Sequence, residues 1–202
     1  MRSNVRAVPD ALRTARLRLD PWAGADFGLF AGLARTPAVM RYIGNGTTWT
    51  DARIHDVAAR IASHWTTHGF GWRVGRLHDG SPVGLFALNF AGEGAGIDPA
   101  EYEIGWWLSP SAWGRGLARE GAAAVRDEAF ARLAAPSIVA RIQPGNAASL
   151  RVAAAIGLRH ESESTGRDGE SIAVLRLNAP DRRLGVSAGP GLPPAARPGA
   201  PA

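Results

Sequence analysis

The sequence predicts an α+β domain, and three features predict it. Apolar residues alternate with polar ones in several short runs, which is the period of a strand. Elsewhere they recur along one helix face, as in Ile54, Val57, Ala58, Ile61 and Trp65. Residues 102–120 pass from a strand pattern through a turn rich in small residues into a helix start.

Each element follows in order. Residues 15–20 read as a strand, with Leu17 and Leu19 facing one way and Arg16 and Arg18 the other. Residues 25–33 form a short helix. Thr50 or Asp51 caps a longer one, which Gly69 ends. Residues 71–76 and 83–89 read as a hairpin turning at Asp79-Gly80. A polar loop spans residues 92–99. Residues 101–108 are a strand and 116–133 a helix, followed by a strand at 138–142 and a helix at 146–156. Two last strands, around 158–163 and 171–177, form a hairpin through 166–169. Residues 1–12 read as a flexible leader and 13–178 as one domain. Residues 179–202 are rich in Pro, Gly and Ala, with too little apolar mass to order themselves, and read as a disordered tail.

Composition narrows the chemistry. The chain has 202 residues, 46% hydrophobic and 20% charged, which suits one globular domain. The net charge of +5 is carried partly by the tail, through Arg182, Arg183 and Arg197 against Asp181. No dense basic run with interleaved aromatics occurs, so nucleic acid is not an expected partner. A modest positive field suits an anionic cofactor. There is no cysteine, which removes disulfides, thiolate metal sites and an acyl-cysteine intermediate. All 23 basic residues are arginine, so Schiff-base chemistry is gone as well. No apolar run approaches the length of a membrane span, and a cytoplasmic protein is the simple reading. No His/Asp/Glu group has metal-ligand spacing.

The turn at residues 113–119 carries the strongest signal. N–H groups at a helix N-terminus have no intrahelical acceptors and, with the helix dipole, attract anions. Gly114, Gly116 and Ala118 let a phosphate approach that backbone. A P-loop would need a lysine, and a dinucleotide fingerprint a third glycine where Arg119 stands. What remains is W-G-x-G-x-A-x-E after E-I-G-W-W-L, from Glu103 to Glu120. This form resembles the coenzyme A-binding turn of the GNAT superfamily of N-acetyltransferases, in particular its RimJ/RimL branch of ribosomal-protein N-terminal acetyltransferases. Asn146-Ala147-Ala148-Ser149-Leu150-Arg151-Val152, then Ile156-Gly157-Leu158, resembles that branch's N-x-x-S-x-R-V…G-F signature. Thr14 to Leu19 resembles its first strand.

The resemblance implies a mixed, mostly antiparallel central sheet with helices on both faces. It also implies that the strands at 102–108 and 138–142 splay apart to take the pantetheine arm of acetyl-CoA, the expected cosubstrate. The cofactor-binding residues would be Trp106, Trp107, Leu108, Trp113, Gly114, Arg115, Gly116, Leu117, Ala118, Arg119, Asn146 and Ser149. Glu103, sharing a strand face with Gly105 and Trp107, is the candidate general base, the alternative being a carboxylate paired with an arginine across the sheet. Asn146 can cap a helix, bond the pantetheine arm, or do both. Ser149 is the candidate donor to the departing thiolate, because neither Tyr42 nor Tyr102 follows the second motif. The acceptor pocket would draw on Arg41 to Gly44, Trp49, His160, Glu161 and Glu163, and an acidic pair there would attract a cationic amine. His55, His64 and His68 read as surface residues.

The activity expected is direct acetyl transfer to a primary amine, either a protein N-terminal α-amine or a small molecule. The rival readings are a non-catalytic acyl-CoA-binding module and an unrelated nucleotide binder. An edge strand or the helix after Gly116 could support a homodimer.

Overall fold

Alternating segments become strands and helical stripes become helices. The structure, a computed structural model, describes residues 11–92 and 98–180. The expected leader and tail lie outside the described residues except at their inner ends, as does the middle of the expected polar loop. The strands are β1 (Leu12–Arg13), β2 (Leu17–Pro21), β3 (Arg73–Leu77), β4 (Pro82–Phe90), β5 (Tyr102–Leu108), β6 (Ser137–Ile142), β7 (Arg159–Thr165) and β8 (Ser171–Asn178). The helices are α1 (Phe27–Ala34), α2 (Pro37–Met40), α3 (Asp51–His68), α4 (Leu117–Ala131) and α5 (Ala147–Ala155).

The strands form one sheet in the order β1-β2-β3-β4-β5-β6-β8-β7. Every neighbouring pair is antiparallel except β5 and β6, whose connection runs through α4 as a parallel crossover requires. That parallel pair touches only at its beginning, Tyr102 opposite Ile138 and Glu103 opposite Val139. Meanwhile β5 stays registered with β4 as far as Leu108, and β6 with β8 as far as Ile142. The two central strands therefore part beyond Glu103 and Val139, which is the splay the resemblance implied.

Each face of the sheet buries its own core. On one, Leu17, Leu19, Phe86, Leu88 and Ile104 pack against Leu117 and Val125 of α4 and against Ile156. On the other, Val74 and Leu85 meet Phe30 of α1, Met40 of α2, and Ile54 and Ile61 of α3. A buried ion pair ties sheet to helix. Arg73 of β3, fully buried, donates from Nε and Nη2 to Glu128 of α4 at 2.9 and 2.6 Å.

Thr50 caps α3 by accepting from the Arg53 N–H at 3.3 Å, and Gly69 closes it in the left-handed region. Two short elements were not expected. In β1, Leu12 pairs with Leu19, so the end of the expected leader belongs to the sheet. In α2, Pro37 at the first helical position pre-sets φ for a single turn. Among the described residues, no helix is long and apolar enough to cross a membrane.

Candidate active site

The phosphate-turn residues form the link from β5 to α4. Gly114 and Gly116 have φ of +71° and +74°, a region where an L side chain is strained. Buried Ala112 and Leu117 anchor the turn on either side, while Gly114, Arg115 and Gly116 are exposed between them. The N–H of Glu120 reaches the Gly116 carbonyl at 3.2 Å, as the first bond of the helix. The N–H groups of Leu117, Ala118 and Arg119 before it have no helical acceptor. The turn thus supplies the donors and dipole that a pyrophosphate needs.

Its shape is fixed from outside. The Trp113 indole N–H donates to the Leu108 carbonyl at 2.8 Å, folding the turn back on the end of β5. The Arg16 guanidinium donates to the Arg115 carbonyl at 2.8 Å and to Glu120 at 2.7 Å. Glu120 also accepts from the Arg16 N–H and from Thr14 Oγ1. Burial opposes ionisation of Glu120, but these hydrogen bonds and the Arg16 charge outweigh it and hold the carboxyl below the ordinary glutamate range.

A cleft of about 1280 Å³ starts at this turn and runs through the sheet. Ile104 and Trp106 line it from one face of β5, and Glu103 and Trp107 from the other. Residues of both faces can line one cleft only because the β5–β6 seam is open. Leu108, Trp113, Gly114, Gly116, Leu117, Ala118 and Arg119 line it too; Arg115 does not. Across the gap stand Asn146 and Ser149. Asn146 Oδ1 caps α5, accepting from the Ser149 N–H at 3.1 Å, and its amide group remains available to the cleft.

Glu103 and Arg141 meet across the seam. The guanidinium donates from Nε and Nη2 to the two carboxylate oxygens at 2.9 and 2.6 Å, and the side chains are 18% and 11% exposed. This is the cross-sheet arginine pair that stood as the alternative to a general base.

Residues 16–159 match the family described as the Acetyltransferase (GNAT) domain. The chain belongs to the GNAT acetyltransferases. It is similar to FsC-acetyl coenzyme A-N(2)-transacetylase of Aspergillus fumigatus, 31% identical over 162 residues that cover 77% of this chain and 67% of that protein. A crystal structure of an acetyltransferase from Agrobacterium tumefaciens superposes with a TM-score of 0.71 at 30% identity, covering 88% of this chain and 99% of that one. RimL, a ribosomal alpha-N-protein acetyltransferase, shares the fold with a TM-score of 0.67 at 13% identity, covering 84% of this chain and 98% of that one. As a GNAT enzyme, the protein is an N-acetyltransferase with acetyl-CoA as cosubstrate, and the turn and parted strands fit that ligand.

The far end of the GNAT cleft, on the α1–α3 face, differs from the sequence expectation. Arg41, Tyr42, Ile43, Gly44 and Trp49 line it as expected. His160, Glu161 and Glu163 do not. They lie exposed on β7 at the outer edge of the sheet, where His160 pairs with Glu163 and Glu161 with Arg176. The chain order β7-β8 is inverted in the sheet, so β8 separates β7 from the cleft. The β7–β8 turn does reach it. Asp168 pairs with Arg53 of α3 at 3.1 Å, and Arg167 donates to the Ala91 carbonyl. Gln143 Nε2 donates to the Gly44 carbonyl at 2.7 Å, joining the loops after α2 and β6.

Tyr42, distant in sequence, packs its ring beside Gly145, next to Asn146. His64 is half-buried and lines the cleft rather than the surface, with Nδ1 bonded to the Phe70 carbonyl at 2.8 Å. Burial lowers its pKa, with the Phe70 bond opposing and His68 assisting. No group of metal-ligating side chains occurs among the described residues.

Proposed function

We propose that this GNAT enzyme joins acetyl-CoA and a primary amine in one ternary complex and transfers the acetyl group directly, in the manner of the RimJ/RimL branch. The cleft through the sheet carries this reading. It connects a phosphate-binding turn on the α4 face to an acceptor arm on the α1–α3 face, so both substrates can meet in the gap between β5 and β6. Direct transfer fits a chain without cysteine to hold the acetyl group.

In this scheme the amine nitrogen attacks the thioester carbonyl carbon. A C–N bond forms, and the carbonyl oxygen takes up charge beside the backbone N–H groups of the free β5 edge. The C–S bond then breaks. Ser149, or a water, gives a proton to the thiolate. Glu103 takes a proton from the ammonium, directly or through water, while Arg141 fixes its orientation. Asn146 and the turn residues Trp113 to Arg119 hold the cosubstrate.

The acceptor is a protein N-terminal α-amine or a small amine in the cytoplasm. Thiol release from acetyl-CoA tests this against peptides beginning with Ser, Ala, Asp or Met, free amino acids, polyamines and aminoglycosides. Release with peptides alone places the enzyme among N-terminal protein acetyltransferases. Release with one small amine places it in metabolite or antibiotic modification. Acetyl-CoA binding with no release from any amine would overturn the enzymatic scheme in favour of an acyl-CoA-binding module.

A further inference from the structure

The acceptor arm has a floor of small residues and a wall of aromatic ones. On the α1–α3 face of the sheet, Glu103, Gly105 and Trp107 follow one another along β5, and the register sets them beside Asn89, Ala87 and Leu85 of β4. Gly105 and Ala87 therefore lie side by side, a low patch between taller neighbours that lines the cleft. A Cβ built on Gly105 would meet only the Ala87 Cβ, at 3.7 Å, so the space above the patch is open. Glu103 and Trp107 bound it along the strand, about 13 Å apart at the usual rise per residue.

Three indoles stand at the Trp107 end. Trp49 and Trp72 meet Trp107 edge-on, with ring centroids 5.2 and 5.5 Å away. On their core side the fully buried Phe30 ring stacks on Trp107 at 6.0 Å and meets the other two edge-on. Trp72 is pinned by its own N–H, which donates to Asn89 Oδ1 at 3.0 Å. All three indoles are half-buried and line the cleft, so a packed base holds them while part of each stays open. Edge-to-face and stacked contacts are the arrangements aromatic rings prefer, and an incoming ring can extend the set.

The acidic side chains that line the cleft are engaged. Glu103 takes both of its hydrogen bonds from Arg141, Asp168 pairs with Arg53, and Glu170 accepts from the Asp168 N–H at 2.9 Å. Arg53 in turn lies over the Trp49 ring, 4.6 Å from its centroid. A polyamine or aminoglycoside brings several ammonium groups, and among the described residues no free carboxylate of the cleft awaits a second one. An aromatic body on a single amine needs no such partner. It gains instead by removing its own surface and that of the indoles from water.

We infer that the acceptor is a primary amine with an aromatic ring a short chain away from its nitrogen. The ring lies on the Gly105–Ala87 floor against Trp107 and Trp49, and the amine points along β5 towards Glu103. The inference rests on the acetyl-transfer reading above. An arylalkylamine and a peptide with an aromatic N-terminal residue share this chemistry.

Matched acceptors that differ only in the ring test it: phenethylamine against ethylamine, and peptides beginning Phe-Ala against Ala-Ala. Thiol release from acetyl-CoA should show a kcat/KM at least tenfold higher for the ring-bearing member of the preferred pair, and that pair identifies the source. Gly105→Val fills the floor from a position with open space above it. It should raise the KM of the ring-bearing acceptor at least fivefold, with acetyl-CoA affinity in calorimetry unchanged. Trp49→Ala should narrow the ratio between the two members even if it lowers stability. Equal or better turnover of the ring-free members, or of spermidine, would overturn this inference and leave acetyl transfer standing. A ring preference that neither variant alters would overturn the assignment of the ring to this floor. Acetyl-CoA binding with no thiol release from any acceptor tested would overturn both readings.

Discussion

Glu120 accepts from Thr14 Oγ1, the Arg16 N–H and the Arg16 guanidinium, so one carboxylate holds the start of α4 to the segment before β2. Hydrogen bonds to a charged group contribute about 1.5–3 kcal/mol each. Glu120→Gln keeps the shape and removes the charge. It should lower unfolding stability by about 1–3 kcal/mol and raise the KM for acetyl-CoA several-fold. Denaturant titration and initial rates check the two effects. Glu103 is a different case, because its partner Arg141 lies on the other side of the seam where the acetyl group should sit. If Glu103 accepts the ammonium proton, Glu103→Gln should cut turnover at least tenfold below neutral pH and less above it, where more of the amine is already neutral. A pH–rate profile parallel to that of the wild type would leave Glu103 as a structural partner of Arg141. The sequence held both roles open because alternation assigns a face but not a partner. The facing strand, residues 138–142, gives Arg141 as the partner only once the register of β5 against β6 is known.

At the scale of elements, the turn before α4 depends on two glycines of positive φ. Gly116→Glu would place a carboxylate beside the N–H groups proposed to bind phosphate and would strain the backbone. It should abolish acetyl-CoA binding in calorimetry while the fold, read by circular dichroism, persists; retained affinity would remove the phosphate assignment. This turn was readable from sequence because its glycines, its strand and its helix follow one another within residues 102–120. The same locality explains α3, with Thr50 and Gly69 at its ends, and α5, with Asn146 as its cap. Elements specified by distant partners escaped. β1 is two residues whose strand conformation comes from pairing with Leu19 and Arg18, and α2 is one turn whose Met40 is held in the core of α1 and α3. The acceptor arm escaped for the same reason. Its arginines come from α3, β6 and the β7–β8 turn, and the inverted order of β7 and β8 carried the expected acidic group away from the cleft.

Over the whole molecule, the two cores share one sheet, and polar contacts fix helices to it. Arg73 and Glu128 form one such contact, and removing one partner leaves a buried charge at a cost of about 3–5 kcal/mol. Glu128→Ala should lower stability by about that amount in chemical denaturation. His64 forms another. It links α3 to the Phe70 carbonyl through Nδ1 and accepts from the Phe90 N–H through Nε2 at 3.4 Å. That arrangement needs the neutral ring, because an Nε2 proton would face the Phe90 donor. Its pKa is lowered in the folded state, chiefly by burial, so on acidification the unfolded chain takes up the proton first. Stability from His64 is therefore complete above about pH 6.5 and falls as the pH drops from there towards the lowered folded value. Glu120 contributes a second decline at lower pH. Its carboxyl is also depressed, so its stabilisation is complete above the ordinary glutamate value and falls below it. Acid destabilisation should thus begin in the imidazole range, before the decline that Glu120 contributes. The thermal midpoint of the wild type should drop between pH 7.5 and 5.5. His64→Gln cannot take up that proton, so its midpoint should change less across the same interval, even if it starts lower. Equal drops in the two proteins would assign the loss to other groups. Because His64 lines the cleft next to the acceptor arm, the same interval should raise the KM for the amine before global unfolding begins.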